Sequence, residues 1–285
     1  MIFLSLIVLS SPVSPRTMLH SVRQFFARKK SAPRPAFVPA GERWYVIGDI
    51  HGRADLFDAL IAAIESDDAR RVPADTTAVL LGDLVDRGPD SAGVIRAARA
   101  WGERRKVRCL AGNHEEMFLA SFEDTATLRH FLKHGGRETV LSYGMAEEDY
   151  RHMRLEDVQA ELNRLVPQAD RRFLEAFEDM ITVGDYVLVH AGIDPARSLD
   201  DQQRSDLRWI RDRFLSHEEP LSHVVVHGHT IFQDVVDTSH RIGIDTGAFR
   251  TGRLTALVLE GDTRRVIQAV ASDDGEITIE KGDHS

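Results

Sequence analysis

The stretch Trp44-Tyr45-Val46-Ile47-Gly48-Asp49-Ile50-His51-Gly52 sets the pattern of the whole chain. A short apolar run ends in Gly-Asp, and a stretch with 3.6-residue periodicity follows over Leu56 to Ile64. The same order recurs when Thr77 to Leu81 ends at Gly82-Asp83 and a helical pattern follows over Ser91 to Trp101. Strands buried on both faces that alternate with helices predict βαβ units and a largely parallel sheet.

Beyond these repeats the predicted secondary structure changes twice along the chain. A third apolar run, Lys106 to Leu110, ends at Gly112-Asn113-His114, and residues 115–182 are mostly helical and charged in pattern. Strand-like runs then resume at Tyr186–Val189, His223–Val226, Arg241–Ile244, Leu254–Leu259 and Arg265–Val270. Few helices separate the last of these runs, so we expect antiparallel or mixed pairing there. The pattern predicts an α/β fold with mixed sheets and a helical insertion.

The composition excludes several classes of protein. With 285 residues, of which 42% are hydrophobic and 28% charged, the chain is neither disordered, coiled-coil nor collagen-like, and its length suits one α/β domain with insertions. The net charge of −9 makes the chain a poor general binder of nucleic acid. Cys109 is its one cysteine, so any metal ion must be held by His, Asp, Asn or Glu side chains.

The charge is unevenly spread along the chain. Residues 1–40 contain six Lys or Arg and no acidic residue, which leaves −15 on the remainder. We interpret Met18 as the true start and residues 1–17 as an incorrectly assigned upstream extension. Residues 1–40 as a whole are interpreted as a basic tail and linker. An alternative is that residues 19–34 contact an anionic membrane surface weakly. The other predicted regions are a folded domain over 41–272, a helical insertion or cap over 115–182, and a polar C-terminal tail over 273–285 that contains a weak strand pattern.

Polar side chains stand where the predicted strands end. They are Asp49, His51, Asp83, Asp86, Arg87, Asn113, His114, His190, His227 and His229. In open α/β sheets, sites form outside the carboxyl ends of strands, and neighbouring glycines allow the sharp turns that let side chains converge. Converging carboxylates repel, and a pair of divalent cations about 3.5–4 Å apart removes that cost in phosphatases. Oxygen and imidazole ligands suit Mn, Fe or Zn, so these residues indicate a two-metal hydrolase.

Five short motifs each follow a predicted strand. They are Gly48-Asp49-Ile50-His51-Gly52, Gly82-Asp83-Leu84-Val85-Asp86-Arg87-Gly88, Gly112-Asn113-His114-Glu115, Val189-His190-Ala191-Gly192 and His227-Gly228-His229-Thr230. In this order they resemble the metallophosphoesterase (calcineurin-like) superfamily, in particular its bacterial-type Ser/Thr phosphoprotein phosphatases, from about Arg43 to Val270. The resemblance implies a four-layer αββα sandwich with mixed sheets. It also implies a phosphomonoesterase in which a metal-bridging hydroxide attacks phosphorus in line.

The resemblance implies roles for individual residues. The implied metal ligands are Asp49 and His51 for the first ion, Asp83 for both ions, and Asn113, His190 and His229 for the second. Arg87 would hold phosphate oxygens, and His114, oriented by Asp86, would protonate the leaving oxygen. Arg211 resembles a second phosphate-binding arginine, with Arg208 and Arg213 as competitors.

Alternatives of three kinds share these motifs. A symmetrical diadenosine tetraphosphatase would use the same metal site, but Asp86-Arg87-Gly88 favours a monoester phosphatase, since those enzymes lack this form of the second motif. A nuclease or cyclic-nucleotide phosphodiesterase is disfavoured by the acidic composition and by Ile231, where other branches carry a histidine. A non-catalytic binding scaffold is disfavoured because every implied ligand position is filled. The stretch from Gly135 to Gly144, typical of bacterial members, is interpreted as a cap over the site.

These expectations define the functional hypothesis. We expect two divalent metal ions, Mn first and Fe or Zn as alternatives, and a phosphoprotein or phosphopeptide substrate carrying phosphoserine or phosphothreonine. An open site that contacts mainly the phosphate is compatible with dual specificity, in which phosphotyrosine is accepted as well as phosphoserine and phosphothreonine. We expect no specific nucleic-acid partner, and a monomer in the bacterial cytoplasm.

Overall fold

The computed structural model describes residues 35–283. The expected start region, the segment 19–34 considered for membrane contact and most of the basic tail lie outside the described residues. None of the described helices is both long enough and apolar enough to cross a membrane. From Ala36 onward the chain forms a single unit.

Two mixed β-sheets form the centre of this unit. Their strands are β1 Glu42–Ile47, β2 Asp75–Leu80, β3 Val107–Cys109, β4 Met180–Val183, β5 Tyr186–Val189, β6 Val224–His227, β7 Val236–Asp237, β8 Arg241–Gly243, β9 Arg253–Glu260, β10 Thr263–Ala271 and β11 Ile277–Asp283. The first sheet has the order β11-β10-β9-β1-β2-β3 and the second the order β4-β5-β6-β8-β7. Strands β1, β2 and β3 are parallel, as are β5, β6 and β8, and the remaining pairs are antiparallel.

Helices connect the parallel strands and fill the insertion. They are α1 Ala54–Asp68, α2 Ser91–Gly102, α3 Asn113–Ala120, α4 Thr125–Phe131, α5 Arg137–Ser142, α6 Glu147–His152, α7 Leu155–Leu165, α8 Gln168–Glu175, α9 Arg204–Trp209, α10 Asp212–Leu215 and α11 Ala248–Thr251. A π-helical turn, Leu132–Gly136, joins α4 to α5. Helices α3 to α8 enclose an apolar core of their own.

The alternating residues of β1 show how the layers are built. Trp44 and Val46 pack between the two sheets, whereas Tyr45 and Ile47 pack on the opposite face against α1 and α2. This follows from the period of two along a strand, because both faces of β1 are covered. On the far side of the second sheet, Val187 packs against side chains of α9 and α10. The result is the expected four-layer αββα sandwich.

Most of the predicted strands and helices are confirmed, with ends within a few residues of the expected ones. Three boundaries differ from the expected ones. Val38 is buried between the sheets and its N–H donates to Gly261 O at 2.9 Å, so the folded part begins before residue 41. The region 273–285 is more than a polar tail, because β11 pairs along β10 at the edge of the first sheet. The alternation in Ile277-Thr278-Ile279-Glu280 is the weak strand pattern of this region, and six of the seven strand residues are exposed.

The helical insertion also ends earlier than expected. Met180–Val183 forms β4, which pairs antiparallel with β5 at the edge of the second sheet. Just before it, Glu178 hydrogen-bonds to the end of β3: its N–H donates to Cys109 O at 2.9 Å and its carbonyl accepts from Ala111 N at 2.8 Å. The insertion is therefore anchored to both sheets, next to the strand ends that carry the predicted site.

The two sheets approach each other closely at Gly48, directly before Asp49. A Cβ at this position would lie 2.6 Å from the carbonyl oxygen of Ile244, which directly follows β8. Contacts below 3.0 Å between a Cβ and a backbone oxygen require the backbone to move. The absence of a side chain at Gly48 thus allows the ends of β1 and β8 to meet.

We predict that Gly48→Ala lowers the free energy of unfolding by about 2 kcal/mol, the typical cost of overpacking a close contact. Urea unfolding followed by circular dichroism measures the change. Gly102→Ala is the matched control, because its Cβ would have 4.0 Å to the nearest atom; it should change stability by less than about 1 kcal/mol. Equal stabilities for the two variants would show that the close approach of the sheets is wrong.

Candidate metal centre

Side chains from both sheets meet at one end of the sandwich. From the first sheet come Asp49 and His51 after β1, Asp83, Asp86 and Arg87 after β2, and Asn113 and His114 after β3; from the second come His190 after β5 and His229 after β6. All of them except Arg87 are buried. The parallel strands place their carboxyl ends on a common edge in each sheet, and the sandwich brings the two edges together.

Asp83 lies at the centre of this cluster. Its Oδ2 is 3.5 Å from His51 Nε2 and its Oδ1 is 3.4 Å from His190 Nε2. The residue has a left-handed φ of 50°. Glu115 holds the turn, since its carboxylate accepts the N–H groups of Asp83 at 2.8 Å and of Leu84 at 2.7 Å. One carboxylate thus faces imidazoles from both sheets, as a ligand shared by two cations must.

Two groups of side chains could each hold an ion. The first is His51, Asp83 and His114, and the second is Asp83, His190 and His229; within each group the ligand atoms lie within 4.8 Å of one another. Asn113 joins the second group, because its Oδ1 is 3.1 Å from His190 Nε2. Asp83 belongs to both groups, which is the position that the resemblance implies for it.

The imidazoles are oriented by backbone carbonyls. His51 Nδ1 donates to Val85 O and His190 Nδ1 donates to Leu81 O, each at 2.8 Å. Burial lowers the pKa of His190 to about 4 and the pKa of His51 well below its usual range, so both rings are neutral at pH 7. A neutral ring that donates through Nδ1 presents a lone pair at Nε2, and both Nε2 atoms face the Asp83 carboxylate.

Asp49 is the predicted ligand that lies outside both groups. Both of its oxygens accept the N–H of His229, at 3.2 and 3.0 Å. Burial, together with the charges of Asp245 and Asp83, raises the pKa of Asp49 well above its usual range. Burial also raises the pKa of Asp245 to about 6. Three carboxylates therefore share a buried space in which their charges repel.

Divalent cations fit this donor set. Neutral imidazoles and carboxylate oxygens are ligands of Mn, Fe and Zn, and a cation neutralises converging carboxylates. Two buried atoms, Asp245 Oδ2 and His229 Nε2, have no hydrogen-bond partner among residues 35–283. His51 Nε2 accepts from Arg87 Nη1 at 2.8 Å, so this lone pair can serve either the guanidinium or a metal ion.

A second arrangement adjoins the cluster. His114 Nδ1 lies 2.5 Å from Asp86 Oδ2, and His114 Nε2 accepts from Arg87 Nη2 at 2.9 Å. The Arg87 guanidinium therefore spans His51 and His114, and the ring of Phe249 covers it at 4.8 Å from Cζ to the ring centroid. The Asp86 carboxylate, the His114 imidazole and the Arg87 guanidinium are thus hydrogen-bonded in that order beside the two candidate ion groups.

The structure separates the three candidate arginines, which lie in α9, in α10 and between them. Arg208 is engaged by Asp179 Oδ1 at 2.6 Å and by Glu116 Oε2 at 2.8 Å. Arg213 pairs with Asp206 Oδ1 at 2.5 Å. By contrast, Arg211 is exposed and donates to Thr230 Oγ1 at 3.4 Å, and its charge contributes to lowering the pKa of His190 and His229. Arg211 is the one of the three with a guanidinium available beside the cluster.

Two residues of the site were missed by the sequence interpretation. Glu115 was quoted only as part of a motif, although it holds the Asp83 turn. Asp245 was not singled out, although it follows a predicted strand and precedes Thr246-Gly247, the pattern that marked Asp49 and Asp83. His227 is buried away from both ion groups with its ring against Phe214, 5.2 Å between centroids, so His229 is the histidine of this motif that faces the cluster.

The sequence profile of the calcineurin-like phosphoesterase family matches residues 43–249. The chain belongs to this family. It is therefore a hydrolase of the phosphoesterase class, and members of the family use divalent metal ions.

Relatives with two activities resemble the chain. It is 29% identical over 217 residues to serine/threonine-protein phosphatase 1 of Salmonella typhimurium, covering 74% of this chain and 89% of that protein. It is also 29% identical over 237 residues to the asymmetrical bis(5'-nucleosyl)-tetraphosphatase PrpE of Bacillus velezensis, covering 74% and 86%. A symmetrical bis(5'-nucleosyl)-tetraphosphatase of Klebsiella pneumoniae is 44% identical over 78 residues, which is 27% of this chain and 25% of that protein.

A solved structure supports the fold. A crystal structure provisionally described as a diadenosine tetraphosphatase superposes with a TM-score of 0.51 at 20% identity, covering 87% of this chain and 98% of that one.

We predict that Asp83→Asn removes the binding of both ions, since the substitution takes the charge from the carboxylate that both groups share. Titration calorimetry with Mn²⁺ on metal-free protein should give two ions per wild-type chain and at least roughly tenfold weaker binding of both in the variant. His229→Asn should weaken one ion only.

Asp194→Asn is the matched control. Asp194 is also a buried carboxylate, but it pairs with Arg197 and Arg213 outside the cluster. This control should bind two ions like the wild type. Wild-type Mn²⁺ binding by Asp83→Asn would contradict the shared-ligand arrangement.

Proposed function

We propose that the chain is a dinuclear-metal phosphomonoesterase that dephosphorylates phosphoserine and phosphothreonine in proteins. The observation that carries the proposal is the Arg87 guanidinium, held between His51 Nε2 at 2.8 Å and His114 Nε2 at 2.9 Å. A guanidinium fork matches the oxygens of a terminal phosphate, and here it stands between a candidate metal ligand and a candidate acid.

The proposed metal ligands are the six residues that the motifs indicate: Asp49, His51, Asp83, Asn113, His190 and His229. Bound divalent ions would lower the pKa of a water molecule and offset charge on the phosphate. Asp83 would fix the two positions relative to each other. The carbonyls of Val85 and Leu81 hold His51 and His190 in the tautomer that leaves Nε2 free for a metal ion.

The groups around the ions would handle the phosphate and the leaving oxygen. Arg87, from the turn after β2, and Arg211, from the segment between α9 and α10, would hold phosphate oxygens. In its protonated form His114 would donate from Nε2 the proton that the leaving alkoxide needs, and Asp86, at 2.5 Å from His114 Nδ1, would fix the ring so that Nε2 faces the substrate.

A dinucleoside tetraphosphatase is the second candidate. The PrpE relative matches over as large a share of this chain as the Salmonella phosphatase does, which favours keeping it. The same metal centre would then cleave a phosphoanhydride rather than a monoester. The symmetrical enzyme, the alternative raised by the motifs, matches over about a quarter of its own length.

We predict that the Mn²⁺-loaded protein releases phosphate from phosphoserine and phosphothreonine peptides faster than it cleaves diadenosine tetraphosphate. Comparison of kcat/KM for the substrates measures the preference, with Asp83→Asn as the inactive control and Asp194→Asn as the matched active control. Faster cleavage of the dinucleotide, abolished by Asp83→Asn, would reverse the proposed substrate class. Activity that survives Asp83→Asn would overturn the metal centre itself.

A further inference from the structure

The stretch Gly135 to Gly144 has a structural role that the cap interpretation did not contain. In sequence, the stretch includes the end of the turn Leu132–Gly136 and the whole of helix α5. Its side chains and carbonyls contact the turn after β2, which carries Asp86 and Arg87. Each of these contacts bears on a group that the proposed function uses.

Asp86 and Arg87 have a backbone conformation that needs outside support. Their φ angles are 75° and 69°, and both residues carry a Cβ. Left-handed backbone is unfavourable for residues with a Cβ, so it persists only where surrounding contacts determine it. In this turn two consecutive residues with a Cβ adopt it.

The Thr139 hydroxyl supplies one support. It donates to Asp86 Oδ1 at 2.6 Å and accepts the N–H of Asp86 at 2.9 Å. Ser91 Oγ lies 2.9 Å from Thr139 Oγ1 and also accepts from the Asp86 N–H, at 2.9 Å. Asp86, Ser91 and Thr139 are fully buried, so water cannot replace a lost partner.

The Gly135 carbonyl supplies the other support, since it accepts the Arg87 N–H at 3.0 Å. Gly135 has a φ of 109°, and a Cβ there would lie 2.7 Å from Arg87 Cγ and 2.8 Å from Arg87 N. Only glycine permits both this conformation and this approach. The first glycine of the Gly135-Gly136 pair is therefore required by the position of Arg87.

We propose that the segment Leu132–Ser142 is a positioning element of the active site, in which the Thr139 hydroxyl orients Asp86 and the Gly135 carbonyl orients Arg87. The inference rests on the proposed roles of Asp86, His114 and Arg87. By binding Asp86 Oδ1, Thr139 leaves Oδ2 for His114 Nδ1, at 2.5 Å. Thr139 thus acts on the reaction through Asp86 and His114 and contacts no reacting atom.

The leaving group provides a specific test of this role. An alkoxide leaving from phosphoserine needs a proton, whereas p-nitrophenolate leaves without one, so loss of a general acid slows the first reaction far more. Thr139→Val keeps the size of the side chain and removes the hydroxyl. We expect it to lower kcat for a phosphoserine peptide by at least about tenfold more than kcat for p-nitrophenyl phosphate.

Three further variants complete the experiment. Thr139→Ser restores the hydroxyl and should return both rates to within about threefold of wild type. His114→Asn should show the same selective loss of phosphoserine turnover, which tests the proposed function separately. Mn²⁺ binding should be unchanged in Thr139→Val. If Thr139→Val does not fold, Thr139→Ala, which places no γ-methyl group at the position of the hydroxyl, carries the same comparison.

Selective loss in both His114→Asn and Thr139→Val, with rescue by Thr139→Ser, supports the proposal. Selective loss in His114→Asn alone overturns the positioning role and leaves the proposed function standing. Equal loss for both substrates in Thr139→Val indicates a merely structural role and also overturns it. If His114→Asn shows no selective loss, His114 is not the general acid, and the positioning role of Thr139 is overturned as well.

Discussion

The crowding of buried carboxylates is the constraint on which the rest of the site depends. Asp49, Asp83 and Asp245 converge from three strand ends, and burial raises the pKa of each. Such a group of acids does not stabilise the fold, because desolvated like charges oppose folding. Divalent cations would neutralise these carboxylates, and the neutral imidazoles of His51 and His190 complete a donor set suited to such ions.

The fold makes this crowding feasible through its two sheets. Each sheet ends its parallel strands at the same edge, and the missing side chain of Gly48 lets the ends of β1 and β8 meet. The turns that follow are strained, and their strain is offset by specific contacts: Glu115 holds the turn of Asp83, and Thr139 holds that of Asp86. Given the proposed roles of Asp86 and Arg87, the helical insertion therefore contributes to positioning groups of the active site.

Much of this was predictable from the sequence, for a physical reason. Strands buried on both faces give continuous apolar runs, and the polar residue that ends such a run stands at the sheet edge, so Asp83 and His190 could be placed together. The exposed edge strand β11 gave only a weak signal. Thr139 lies 53 positions from Asp86, and no local pattern relates the two. Arg211 could be separated from Arg208 only once the acidic partners of Arg208 were known.

The most direct test of the dinuclear centre is a crystal structure of the Mn²⁺-loaded protein with anomalous diffraction data. The account predicts two anomalous peaks about 3.5–4 Å apart, one on each side of the Asp83 carboxylate, with His51 beside one and His190 beside the other. A single peak, or peaks away from Asp83, would contradict it.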